Sequence, residues 1–71
     1  MINTKMLQDA MRSKGFTIGE LASAVGLSRT GLFNKMHNKS EFKISEIEIV
    51  CSALKLNKDK KNAIFFAKRV E

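Results

Sequence analysis

The sequence predicts an all-α fold, one compact domain of four or five short helices. Apolar residues recur at spacings of three and four along the whole chain, the helical period. No proline interrupts them, and neither a Gly/Ser linker nor an internal repeat divides the chain. At 71 residues there is material for a single core and no second one.

The first helix is expected from Thr4, read as its N-cap, to Lys14, with Met6, Leu7, Ala10 and Met11 forming one apolar stripe and Gly15 as the stop. The second opens with a capping box, Thr17-Ile18-Gly19-Glu20, in which hydroxyl and carboxylate satisfy reciprocal amides. Ile18, Leu21, Ala22 and Val25 then face inward. Only about two turns fit before Val25-Gly26-Leu27, where Gly26 can take positive φ and reverse the chain. Ser28 caps the third helix, 28–37, whose buried face is marked by Leu32 and Met36 four residues apart.

Residues 38–41 read as a loop, with Phe42 and Ile44 pinning it to the core. Ser45 and Glu46 start a fourth helix carrying Ile47, Val50, Cys51 and Leu54 at helical spacing. The fifth, 57–70, is capped by Asn57 and is unusually apolar for a chain end. Adjacent Phe65 and Phe66 cannot both enter so small a core, so residues 57–71 are read as an assembly segment with Ile64, Phe65, Phe66 and Val70 at the interface.

Charge narrows the partners. Thirteen Lys and Arg oppose 7 Asp and Glu, a net +6 on a small surface, which favours an acidic partner, most often a nucleic-acid backbone. The lone cysteine, Cys51, is a small core residue rather than half of a disulfide, and no His/Cys cluster has metal spacing. No nucleophile and base pair or phosphate-cradling glycine loop stands out, so the chain is not read as an enzyme, and no cofactor or small-molecule ligand is expected. The polar and apolar positions change phase between short helices, unlike a membrane-surface peptide, and no signal peptide or apolar run of ~18 residues occurs. The expected location is the cytoplasm.

The stretch Thr17-Ile18-Gly19-Glu20-Leu21-Ala22-Ser23-Ala24-Val25-Gly26-Leu27-Ser28-Arg29-Thr30 resembles the lambda-repressor-like family of phage repressors and Cro proteins. Its continuation, Asn34-Lys35-Met36-His37-Asn38-Lys39-Ser40-Glu41-Phe42 followed by Ser45-Glu46-Ile47, is similar to small Cro-like regulators of phages and prophages from Gram-positive bacteria. The likeness covers about residues 5–56. It implies a helix-turn-helix over residues 17–37, binding to a double-stranded, near-palindromic DNA operator, and a homodimer. Ile18 stands where many members carry glutamine, and Gly31 lies inside the reading helix, where glycine costs up to about 1 kcal/mol relative to alanine.

Carried onto this chain, the resemblance makes Arg29, Thr30, Phe33 and Asn34 the base-reading candidates. A guanidinium fork matches guanine O6 and N7, an amide pairs with adenine, and Thr and Phe meet a thymine methyl. Thr17, Ser28, Lys35, Asn38, Lys39, Ser40 and Lys43 are the phosphate candidates, being hydroxyls, amides and cations near helix starts or the groove edge. The function so implied is a sequence-specific repressor. The alternative is a Cro-like modulator or antirepressor whose main partner is another repressor protein, favoured by Ile18, Gly31 and the Ile64-Phe65-Phe66 tail.

Overall fold

The computed structural model describes residues 1–66, and within them every regular element is a helix. In chain order these are α1 (Thr4–Lys14), α2 (Ile18–Val25), α3 (Arg29–Met36), α4 (Ile44–Leu54) and α5 (Lys58–Phe65). Residues 67–71 lie outside the described part, and Val70 with them.

Side chains set most of the boundaries. Asn3, one residue ahead of the expected Thr4, caps α1 by accepting the Met6 amide at 3.1 Å. The Thr4 hydroxyl is used elsewhere, donating to the Met36 carbonyl and so tying the start of α1 to the end of α3. Both bonds of the Thr17–Glu20 capping box form, at 2.9 and 3.1 Å, and Ser28 Oγ accepts the Gly31 amide at 2.9 Å. Gly26 closes α2 at φ 86°, left-handed backbone that an L side chain would strain. The Gly26 and Leu27 amides both return to the Ala22 carbonyl, which makes the turn tight and leads directly to the Ser28 cap.

α4 starts at Ile44, ahead of Ser45, because Glu46 Oε1 accepts the Lys43 amide at 2.8 Å and fixes the first turn there. It ends on Lys55 in left-handed geometry, φ 54°, where the sequence offers no glycine. Asn57 caps α5 by accepting the Lys60 amide, as expected, and α5 runs to Phe65 with Phe66 as its C-cap, while positions 67–70 of the expected helix lie outside the described residues.

The core is built from Leu7 and Met11 of α1, Leu21, Ala22 and Val25 of α2, Leu32 and Met36 of α3, Ile47, Val50, Cys51 and Leu54 of α4, and Ile64 and Phe65 of α5. α2 packs on α3 and α4, while α1 packs on α4 and α5. The radius of gyration, 11.1 Å, equals the ~11 Å that a compact domain of this length should have, so the five helices enclose one core.

Two expectations need correction. Ile44 does not pin the loop: it is 65% exposed, since starting α4 at this residue turns its side chain outward. Phe42 does that work alone, meeting Phe65 edge-on with ring centroids 5.4 Å apart. Ile64 and Phe65 are core residues, 1% and 3% exposed, and not an interface. The Ile64 carbonyl also accepts the Asn3 amide, which holds α5 against the N-terminal segment. Of the described tail residues only Phe66, 48% exposed, is left facing out.

Candidate nucleic-acid interface

α2, the Gly26 turn and α3 bring three of the four predicted reading residues, Arg29, Thr30 and Phe33, to one surface. Arg29 and Thr30 occupy the first turn of α3, directly after the Ser28 cap, and both are exposed. Ile18, Arg29, Thr30 and Phe33 line a single shallow depression between the starts of α2 and α3. Phe33, 44% exposed, stacks on His37 with ring centroids 4.2 Å apart and planes at 36°. Asn34 is half-buried and its carbonyl accepts the Lys39 amide, so it is the least accessible of the four.

Gly19 lies beside Arg29. A Cβ at that position would stand 3.5 Å from Arg29 Cδ and 3.7 Å from its Cγ, ordinary van der Waals distances, so the apolar stem of Arg29 passes Gly19 with room for a methyl group between them. Arg29 itself is exposed, and its planar fork stands at the edge of the surface. Gly31 has a steric reason. A Cβ there would come within 3.1 Å of Ser28 Oγ, the atom that caps the helix, so the glycine makes room for its own cap.

The phosphate candidates divide into two groups. Thr17 and Ser28 are exposed cap residues whose hydroxyl oxygens each accept one helix-start amide, leaving the hydroxyl hydrogen to donate outward. Lys39, Ser40 and Lys43 are exposed, and none of the three side chains has a hydrogen-bond or ion-pair partner among the described residues. Glu41 sits exposed in the same loop and lowers its net positive charge.

Lys35 and Asn38 have other work. The Lys35 ammonium donates to Glu46, and only 14% and 11% of the two side chains is exposed. Burial alone would push the Glu46 carboxyl up. The Lys35 hydrogen bond, the Lys43 amide and the charges of both lysines outweigh that and hold it below its ordinary value. A Lys35 engaged in this way is not the free cation the phosphate reading needs. Asn38, at φ 63°, clamps the N-terminal segment: its Oδ1 accepts the Ile2 amide at 2.8 Å and its Nδ2 donates to the Ile2 carbonyl at 3.1 Å. One donor and one acceptor of its exposed amide are thus taken by the fold.

Sequence reasoning missed the Lys35–Glu46 pair and the Asn38 clamp. They join residues 11 and 36 apart, with no local pattern to announce them. Among the described residues no three His, Cys, Asp or Glu side chains group closely enough to hold a metal, and no helix is long and apolar enough to cross a membrane. No protein-family model matches the chain, and no curated protein matches it either.

Proposed function

We propose that this chain is a sequence-specific DNA-binding regulator of the lambda-repressor-like type, in which α2 and α3 form a helix-turn-helix and α3 enters the major groove. One observation carries the reading: Arg29 and Thr30 stand exposed on the first turn of a capped helix that follows a tight glycine turn from a second capped helix. In that docking geometry the N-terminal residues of the second helix meet base edges. Arg29 reads a guanine, Thr30 and Phe33 touch thymine methyls, and Thr17, Ser28, Lys39, Ser40 and Lys43 hold the phosphates on either side.

Regulation follows from occupancy. The regulator so proposed acts by covering an operator and excluding polymerase. A homodimer would present two reading helices to half-sites about 10 base pairs apart. Phe66, Met1 and Ile44, large apolar side chains left exposed round one depression, are candidates for that pairing.

Selection of binding sites from random duplex DNA tests the proposal. The expected product is a near-palindromic site with one strongly preferred guanine per half. Recovery of unrelated sequences would defeat it.

A second reading, an antirepressor that binds another repressor, is supported by the Ile18–Phe33 surface. Polar base edges leave an exposed phenylalanine beside an isoleucine less well matched than an apolar protein surface does. Running the selection with and without a candidate repressor separates the two, because a modulator abolishes the companion's enrichment and shows none of its own.

A further inference from the structure

A groove that the DNA-binding reading leaves unused lies between α1 and the turn joining α4 to α5. Its volume is about 440 Å³, and its apolar floor is Met6 and Ala10 from α1 with Leu54, Leu56 and Ile64 from the facing elements. Such a volume takes one or two large apolar side chains. Lys14, Lys55 and Lys60 stand exposed on its rim, and none has an acidic partner among the described residues. The one acidic group in the lining, Asp9, is already matched by Lys5 at 3.7 Å and Arg12 at 3.1 Å. The rim is therefore positive in effect and the floor greasy.

The groove also points away from the reading surface. A helix turns about 100° per residue, which sets Met6, Ala10 and Ser13 well round α1 from Gln8 and Arg12, with Asp9 between the two sets. Gln8 and Arg12 flank the depression shared with Ile18 and Phe33, so a ligand on that face leaves the groove open.

We propose that this groove docks an acidic segment of a partner protein that anchors itself by apolar side chains. Charge complementarity selects the sign of the partner, since three unneutralised ammonium groups round an apolar slot disfavour a neutral or basic segment and favour carboxylates flanking the anchor. The site extends the proposed function without depending on it, because none of its residues belongs to α2 or α3.

The test is an amide-shift titration of the full chain with a synthetic peptide of roughly twelve residues, Leu and Phe at helical spacing and Glu elsewhere. The expected result is saturable shifts at Ala10, Ser13, Leu56 and Asn57 with Arg29, Thr30 and Asn34 unmoved. Lys14→Glu combined with Lys60→Glu should weaken binding at least about tenfold while urea midpoints stay unchanged. Ala10→Leu, which fills the slot, should abolish it, and the surface lysine pair decides the matter should that variant fold poorly.

Control ligands are the same peptide with Ser for Leu and Phe, the same peptide with Lys for Glu, dodecanoate, and a random duplex oligonucleotide. Equal binding of the serine or lysine peptide would overturn the proposal. So would peptide shifts confined to α3, no shifts at all, or groove shifts with dodecanoate or duplex but not with the acidic peptide.

Discussion

The Lys35 ammonium and the Glu46 carboxylate, 11 residues apart in sequence, meet in a part-buried ion pair that joins α3 to the first turn of α4. Glu46 accepts the Lys43 amide at the same time, so one carboxylate both starts a helix and holds its neighbour. Removing one partner strands the other charge, whereas removing both leaves an apolar contact. Glu46→Ala is expected to cost roughly 3 kcal/mol in urea denaturation. Lys35→Met with Glu46→Leu should fall within about 1 kcal/mol of wild type, the remaining loss being the α4 cap. Additive losses in the double variant would show that the two charges do not act as a pair.

The same pair gives the fold an acid limit. The folded Glu46 carboxyl is held below its ordinary value, so its contribution is complete above the unfolded value, about pH 4.3, and is lost as pH falls through the lowered one. The melting temperature should decline below about pH 4, and Glu46→Gln should remove part of that decline. At the other end, burial pushes the Cys51 thiol up. Its contribution is complete below the unfolded thiol value, about pH 8.5, and fades as pH rises through the folded one. Alkylation of Cys51 by iodoacetamide should accordingly be slow in the native protein and fast in urea.

Ser28 and Gly31 should show coupled behaviour. Gly31→Ala gains up to about 1 kcal/mol of helix propensity but drives a Cβ to 3.1 Å from the capping oxygen. Disturbing that cap costs about the same, so the single variant should be near neutral. In a Ser28→Ala background the clash partner is gone, and the same Gly31→Ala change should now stabilise by close to the full amount. A thermal-melt double-mutant cycle measures the difference, and a cycle with no coupling refutes the cap explanation.

At the proposed DNA surface, Arg29→Ala should lose roughly 1 to 3 kcal/mol of binding at one operator position and relax the preference there. Lys39→Ala should weaken binding to every sequence alike and reduce the salt slope by about one. Lys35→Met, by contrast, should leave the salt slope unchanged, because that ammonium faces Glu46. Gel-shift titrations at several salt concentrations distinguish the three. An unaltered base preference in the Arg29 variant contradicts its reading role.

The two phenylalanines at the end of α5 separate folding from assembly. Phe65→Ser removes a buried ring that packs edge-on against Phe42 and should cost about 3 to 5 kcal/mol. Phe66→Ser alters a half-exposed ring and should leave monomer stability within about 0.5 kcal/mol. Sedimentation then reads assembly alone, and a shift towards monomer in the Phe66 variant supports pairing through this face. No shift would remove Phe66 from the proposed interface.

Features made by local chemistry were readable from the residues alone. The Thr17–Glu20 box, the Ser28 and Asn57 caps, the glycine turn at Gly26, and the inward spacing of Leu21, Val25, Leu32, Met36 and Leu54 all depend on groups within a few residues of one another. Each was legible because a hydroxyl three residues before an amide, or a glycine after an apolar stripe, has few alternative uses.

Which surface groups remain free depends on contacts that exist only in the folded chain. Lys35 and Asn38 read as groove-edge donors from their chain positions, yet Glu46 and Ile2 claim them through contacts that loop closure alone brings together. Phe65 and Phe66 are indistinguishable as letters, and the approach of Phe42 and the N-terminal segment to α5 sends one inward and the other out. Arg29 and Phe33 meet Ile18 round one depression because the Gly26 turn sets the start of α3 beside the start of α2, a juxtaposition that neither helix contains alone.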